Sequence, residues 1–333
     1  MNISQTSEIW YTIVNPNAGK GSGFRDWSLI ESLLSKSGLT CKVEFTRNRG
    51  DAIQLTRQGI KEGYRHFIVV GGDGTMNDVV NGCFGQKTCP TSMLYLSMIS
   101  VGTGNDWGRM FNIPVDYPNA VEVIRVKNTC LHDTGVVHFY NGDERNSRYF
   151  INIAGLGFDA LVVQRTNRQK DRGHNGKALY FWNLLSSLLS YSHTETDYVI
   201  DGQKYRDKMF TMSLGIGRYS GGGMIQTPNA LHDDGLFDVT VIGKMGKLEV
   251  IRNLNLLYNG KILTHPKVNG FTGKEIRIES TELIHLEADG ETLGHSPVTF
   301  KILPRSINVV HNLSTKSQMN LDYPLPDRAV QKG

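Results

Sequence analysis

Asp73 sits inside a glycine-rich run, Gly71-Gly72-Asp73-Gly74-Thr75-Met76-Asn77-Asp78-Val79-Val80, where a carboxylate has a chemical consequence. The run follows Phe67-Ile68-Val69-Val70, whose length and β-branched content predict a buried strand. Its glycines let the backbone turn tightly and leave room beside it. Thr75 has the chemistry of an N-cap for a short helix through Asn77 to Asn81, which would turn free N–H groups back into the loop. A strand-loop-helix corner of this kind binds anions, and charge-assisted hydrogen bonds to phosphate are worth about 1.5–3 kcal/mol each. Asp73 would repel that phosphate unless a cation stood between them, so the pairing points to a Mg²⁺-nucleotide. The competing account is an ordinary glycine-rich turn with a solvated aspartate.

The elements that must position this loop alternate in type. Ile9 to Val14 predicts a first strand, running into the basic loop Asn15-Pro16-Asn17-Ala18-Gly19-Lys20-Gly21-Ser22-Gly23. That loop is no Walker P-loop, because Gly21 follows Gly19-Lys20 in place of Ser or Thr. A helix is expected from about Phe24 to Ser35, a strand over Cys41 to Phe45, and a helix from Asp51 to Glu62 with Gly63 as its stop. A fourth strand, Met93 to Ile99, ends in Ser100-Val101-Gly102-Thr103-Gly104-Asn105-Asp106. Strands alternating with helices predict a three-layer α/β domain on a parallel sheet, over residues 1–130, with ligand loops beyond the carboxyl ends of the strands.

After about Cys130 the pattern changes to short alternating strands separated by turns: Val136 to Tyr140, Tyr149 to Ala154, Asp197 to Asp201, Met209 to Gly215, Phe237 to Ile242, Glu275 to Glu279, Leu283 to Glu287 and Val298 to Leu303. Helices are expected near Gly157 to Arg168, Lys177 to Tyr191 and Lys247 to Tyr258. Residues 131–312 therefore form a β-rich second domain with the cleft between the two, and 313–333 a polar tail. A net charge of +4, from 36 basic and 32 acidic residues, is too small a margin to imply nucleic acid. Cys41, Cys83, Cys89 and Cys130 show no metal-ligand spacing and fit free thiols in a reducing compartment. The longest apolar stretch, Ala178 to Leu189, is broken by Asn183, Ser186 and Ser187. The expectation is a cytoplasmic protein, with peripheral membrane contact and a homodimer both left open.

Taken together, Asn15-Pro16 with Gly19, the Gly71 to Asn77 run, Gly102-Thr103-Gly104-Asn105-Asp106, Gly155-Leu156-Gly157-Phe158-Asp159, Gly221-Gly222-Gly223-Met224, Asp234-Gly235-Leu236-Phe237-Asp238 and Asp289-Gly290-Glu291 resemble the diacylglycerol kinase catalytic-domain family. The likeness is to its bacterial soluble lipid-kinase branch, with sphingosine kinases in the same superfamily and NAD kinases more distant. The resemblance implies ATP and Mg²⁺ as cofactors and a lipid hydroxyl as phosphate acceptor. It implies that Asn15, Pro16, Gly19 and Thr46 hold the nucleotide, that Gly71, Gly72, Gly74, Thr75 and Asn77 wrap the phosphates, and that Thr103 donates to a phosphate. It implies an aspartate network, Asp73, Asp106 and Asp133, around the catalytic Mg²⁺, mainly through water. Asp234, with backbone carbonyls near Leu231 and Phe237, matches a second, structural Mg²⁺ site. Glu291 matches the general base, and Asp289 would orient it or help hold the alcohol.

The chain departs from the family pattern at Asp78, where Glu is usual, at Ser100, where proline is common, and at Gly108, where alanine is usual. For the lipid, the helix Lys177 to Tyr191 offers Tyr180, Phe181, Leu184, Leu185 and Leu188 as one stripe, preceded by Arg165, Arg168, Lys170, Arg172 and Lys177. A core stripe and a solvated loop are the favoured accounts of these residues. Diacylglycerol is the expected acceptor, with a sphingoid base, monoacylglycerol or phosphatidylglycerol open. An NAD kinase and an ATP-binding module without turnover are the rival functions.

Overall fold

The structure, a computed structural model, describes residues 9–102, 104–170, 177–280 and 282–313. Its first half is built on β1 (Trp10–Val14), β2 (Cys41–Phe45), β3 (His66–Gly71) and β4 (Tyr95–Ser100). All are parallel in the order β2-β1-β3-β4. Every residue of β1 and β3 is buried, as a strand covered on both faces requires. The covering helices are α1 (Ala18–Arg25), α2 (Trp27–Lys36), α3 (Asp51–Lys61), α4 (Asp73–Phe84), α5 (Asp106–Met110) and α6 (Tyr117–Val126). Trp27, Ile30 and Leu34 of α2 pack with Val121 and Ile124 of α6 in one core. Ala52 and Ile60 of α3 pack with Met76, Val79 and Val80 of α4 in another. These two cores on the parallel sheet give the expected three layers.

Two boundaries differ from the sequence expectation. The helix after β3 starts at Asp73, with Gly72 extended at its N-cap, so Thr75 lies inside the first turn. Glycine in the loop thus ends one residue after the strand, and the aspartate itself opens the helix. The first loop also turns through left-handed Gly19, Lys20 and Gly21 before the chain becomes helical.

The second half is antiparallel. Its strands are β5 (Thr129–Asn141), β6 (Glu144–Phe150), β7 (Ile153–Gly157), β8 (Thr194–Ile200), β9 (Gln203–Gly215), β10 (Tyr219–Ser220), β11 (Met224–Ile225), β12 (Phe237–Gly243), β13 (Val268–Gly273), β14 (Glu275–Glu279), β15 (His285–Ala288) and β16 (Glu291–Val310). The single strand expected over Tyr149 to Ala154 is two strands, because β6 pairs with β5 while β7 turns away to pair with β9 and β15. Phe150, Leu156, Met212, Phe237, Ile276, Leu286 and Phe300 centre the core of this half. Three helices, α7 (Phe158–Lys170), α8 (Lys177–Ser190) and α9 (Lys247–Tyr258), lie against it. The β16 strand is far longer than Val298 to Leu303: its end, Asn308 and Val309, pairs in parallel with β4. The chain therefore returns to the first sheet, and one strand passes through both halves.

Candidate active site

In the order β2-β1-β3-β4 the connections from β1 and β3 leave in opposite directions, which opens a crevice at their carboxyl ends. The loops expected to bind nucleotide meet there. Asn15 donates its amide to the Thr75 hydroxyl at 3.0 Å, and its own Oδ1 accepts Asn17 N–H at 3.0 Å. Gly23 packs so closely on the first loop that a β-carbon would lie 2.0 Å from the Asn15 carbonyl oxygen. Pro16 accepts Phe24 N–H through its carbonyl at 3.1 Å, and Thr46 N–H bonds the Val14 carbonyl at 2.9 Å. A β-carbon on Gly19 would be 3.2 Å from the Gly102 nitrogen, so the loops after β1 and β4 also touch. Thr103 lies outside the described residues.

Asp73 faces the loop after β4. Its Oδ2 accepts Asp106 N–H at 3.1 Å and its Oδ1 accepts Trp107 N–H at 3.2 Å. Asp106 in turn accepts Gly222 N–H at 2.8 Å through Oδ2. That donor comes from Gly221-Gly222-Gly223, all at positive φ, a backbone path only glycine follows without strain. Asp106 is 5% exposed, and its Oδ1 is buried without a hydrogen-bond partner. Burial, and then the nearby Asp73 carboxylate, push its pKa up to about 6. Two adjacent carboxylates, one with an orphaned oxygen, form a donor set that a hard divalent cation with retained waters would satisfy. Mg²⁺ fits these residues.

The second half brings its own acids to the same place. Asp289 and Gly290 form a two-residue hairpin turn between β15 and β16, with φ 49° and 79°. The Asp289 carboxylate accepts Asn152 N–H and Ile153 N–H on Oδ1, at 2.9 and 3.2 Å. Its Oδ2 accepts Ile151 N–H and the Asn77 amide, at 3.0 and 2.8 Å. Asn77 belongs to α4, the helix that opens at Asp73. Burial holds the Asp289 pKa up at about 6 against the pull of these donors. One residue past the turn, Glu291 reaches over the glycine loop: its Oε1 lies 3.3 Å from the position a β-carbon on Gly74 would take. Its Oε2 accepts from Arg49.

The second half also holds an apolar pocket. Phe158, Val162, Leu184, Phe210, Met245 and Leu254 line it, with Asp159 in its wall. Asp159 accepts Ser213 Oγ and Gln226 Nε2, both at 3.1 Å, and burial pushes its pKa up to about 6. Between the pocket and the turn lies Glu287, whose Oε2 accepts Gly290 N–H at 2.8 Å. Burial holds Glu287 well above the usual carboxylate range, with Asp159, Asp289 and Glu291 adding to the shift. The helix that walls the pocket, α7, also grips the turn, since Asn167 donates to the Gly290 carbonyl at 3.0 Å.

Asn15, Gly19, Gly71 to Asn77, Asp106, Asp289 and Glu291 therefore converge. Asp133 makes its direct hydrogen bonds away from Asp73 and Asp106. Where β16 slips its register against β5 between Leu303 and Ile307, Asp133 fills the gap. Its oxygens accept Arg305 N–H at 2.6 Å and Gly235 N–H at 2.7 Å, so this carboxylate ties the second half together. Asp234 is exposed, with Oδ1 closed on Leu236 N–H at 3.0 Å. Leu231 and Phe237 bracket the same turn. Among the described residues no group of three His, Cys, Asp or Glu side chains is arranged to hold a metal. Tyr180, Phe181, Arg172 and Lys177 have side chains outside the described residues, as does Lys170, and the tail from 314 lies outside them. Sequence reasoning missed Glu287, Asp159, Arg148 and Arg49. Alternation into and along β15 puts Ile284, Leu286 and Ala288 in the core and Glu287 on the opposite face, so the burial of Glu287 was not legible. Nothing in the sequence pairs Arg49 with Glu291, 242 positions away.

Comparison with known proteins identifies the family of the chain. Residues 10–137 match the diacylglycerol kinase catalytic domain, and residues 152–311 match the YegS C-terminal NAD kinase beta sandwich-like domain. The chain is 31% identical over 297 residues to a diacylglycerol kinase of Staphylococcus carnosus, covering 89% of this chain and 93% of that one. The diacylglycerol kinase of Staphylococcus aureus strain MRSA252 gives the same identity, with 89% and 90% covered. The fold matches the crystal structure of a diacylglycerol kinase from Bacillus anthracis, with TM-score 0.68 at 22% identity over 92% of this chain and 97% of that one. Yeast NADH kinase complexed with NADH shares the fold more loosely, with TM-score 0.53 at 12% identity over 98% and 90%. These matches show that the chain belongs to the diacylglycerol kinase family of lipid kinases.

Proposed function

We propose that this kinase transfers the γ-phosphate of ATP to the free hydroxyl of diacylglycerol, giving phosphatidic acid. The observation that carries the reading is the reach of Glu291 over Gly74, with the helix that walls an apolar pocket bonded through Asn167 to the Gly290 carbonyl of the same hairpin turn. Asn15, Pro16, Gly19, Thr46 and Thr103 would seat the nucleotide, and the N–H groups at the start of α4 would hold its phosphates. Asp73 and Asp106 would hold Mg²⁺, which when bound neutralises charge on the phosphates. Glu291 would accept the hydroxyl proton as the oxygen attacks phosphorus. Asp289 fixes the turn that carries it, and Glu287 beneath, its carboxyl held above the usual range by burial, steadies the turn by accepting Gly290 N–H. The turn at Asp234, with carbonyls of Leu231 and Phe237, would take a second, structural cation.

An acyl chain suits the pocket and a dinucleotide does not, which favours a lipid over NAD. Such a substrate resides in a bilayer. The helices that wall the pocket carry exposed Trp182 and Leu189 on α8, and Leu248 and Ile251 on α9. Lys247 and Arg252 flank them, a combination suited to an anionic leaflet. Among the described residues no helix is long and apolar enough to cross a membrane. The test is transfer from γ-labelled ATP to a panel of pure lipids in anionic vesicles, with NAD as control acceptor. Label in diacylglycerol, lost in Glu291→Gln, is the expected result. Label in NAD alone, or full turnover by Glu291→Gln, refutes the assignment.

A further inference from the structure

The carboxylate of Glu291 rests on a cation from the other half of the molecule. Arg49 lies in the connection from β2 to α3, at the same edge of the sheet as the glycine corner. Asp51 fixes this connection by accepting Arg47 N–H and Asn48 N–H, both at 2.8 Å. Gly50, at φ 84°, then turns the chain into α3. The Arg49 guanidinium donates to Glu291 Oε2, while Oε1 of the same carboxylate lies over Gly74. One side chain thus spans from the phosphate-binding loop to Arg49. The Arg49 side chain is 64% exposed, and an ion pair that open to water contributes little and exchanges readily. A terminal phosphate at Gly74 would offer the guanidinium more charge and a planar pair of oxygens, its preferred geometry.

We propose that Arg49 senses the terminal phosphate. Without nucleotide it holds Glu291; when a triphosphate binds, the guanidinium passes to the γ-phosphate and the carboxylate is released to accept a proton. This rests on the reading of ATP at the glycine corner and of Glu291 as the base. It adds a residue that separates ATP from ADP, whose β-phosphate ends short of the guanidinium. Glu291 and the γ-phosphate then compete for one cation, so nucleotide binding and the state of the base are coupled.

Calorimetry of Mg·ATP and Mg·ADP without lipid, on wild type, Arg49→Met, Glu291→Gln and the double variant, tests this. Arg49 is exposed, so the variants are expected to fold, and a thermal melt of each verifies it. Arg49→Met should weaken ATP about tenfold and ADP less than about twofold. Glu291→Gln should tighten ATP several-fold when Arg49 is present. Added to Arg49→Met, the same change should leave ATP affinity where the single Arg49→Met variant has it. Equal losses for ATP and ADP would overturn the proposal. So would equal tightening by Glu291→Gln in both backgrounds, since that reports only relief of charge repulsion. Failure of the base assignment is seen separately, as turnover retained by Glu291→Gln, and failure of the nucleotide assignment as no uptake of either nucleotide by wild type, which sinks the proposal with it.

Discussion

Replacing Asp289 by asparagine removes a charge but almost no volume, so its effect can be worked from the hydrogen bonds alone. Each carboxylate oxygen accepts two N–H groups: Asn152 and Ile153 on one side, Ile151 and Asn77 on the other. An amide can present its oxygen to one pair only, and its NH₂ then meets donors. Asn77 cannot flip to compensate, because its Oδ1 already accepts Arg148 Nε at 2.9 Å and Nη2 at 2.6 Å. Two bonds to a charged acceptor are lost, at about 1.5–3 kcal/mol each. Against this, the amide escapes the cost of ionising a buried acid whose pKa is raised from 3.8 to about 6, about 3 kcal/mol at neutral pH. That shift already contains the pull of the donors, so the two figures do not add, and the pH dependence is what the variant tests.

The sign of the pH dependence follows from the same shift. A carboxyl raised on folding contributes stability that is full below its unfolded pKa and lost as pH rises through about 6. Wild type therefore gains on the variant as pH falls, by about 1 kcal/mol between pH 7.5 and pH 5. Urea unfolding of both proteins at the two pH values measures it. Turnover should also fall at least about tenfold, since Glu291 loses the turn that aims it. A gap between the proteins that narrows at pH 5 would refute the reasoning, as would Asp289→Asn with wild-type stability and wild-type turnover.

Mg²⁺ affinity should rise about tenfold from pH 5 to pH 7, because the raised Asp106 carboxyl must lose its proton to bind; a flat titration, followed by thermal shift without nucleotide, contradicts this. Gly23→Ala should abolish nucleotide binding while the far half stays folded, since its β-carbon would displace the Asn15 carbonyl; calorimetry showing wild-type ATP uptake would count against the loop's role. His132 is fully buried and its pKa is pushed down to about 3, so the unfolded chain takes up a proton below about 6.5 that the folded chain refuses. That costs about 2 kcal/mol at pH 5, and His132→Leu should lose less stability than wild type between pH 7.5 and pH 5.

Glycine-rich loops after apolar runs were legible because both signals are local. The strand into Gly71, the acid at its end and the helix α9 over Lys247–Tyr258 all follow from residues within a few positions of one another. Pairing across long separations was not legible. Asp133 reads like a third site acid, yet the register slip in β16, some 170 residues away, decides what its oxygens meet. The two departures at Ser100 and Gly108 look independent in the sequence. In the fold a β-carbon at Gly108 would lie 3.2 Å from Ser100 Oγ, so the smaller residue accommodates the hydroxyl. Asp78 likewise pairs with Arg148 at 2.7 Å, and its shorter reach serves that contact.

The helix α4 explains why the two halves act as one site. Its first residue, Asp73, bonds the loop after β4, and one turn on, Asn77 bonds the acidic hairpin from the other half. A turn further, Asn81 donates to the Tyr149 carbonyl at 2.9 Å and accepts Tyr149 N–H at 3.0 Å. Arg148, next to Tyr149, clamps Asn77 and Asp78. The N–H groups at the start of this helix, proposed to hold phosphate, and the turn bearing Glu291 are therefore indexed to a single rod. The proposed transfer of Arg49 from Glu291 to phosphate then involves a side chain at the edge of this arrangement. A variant that loosens the rod, Arg148→Met, should accordingly lower kcat with little change in ATP affinity, because the phosphate loop keeps its own contacts while the acid above it loses its register. If ATP affinity fell in step with kcat, the helix would be anchoring the nucleotide half alone.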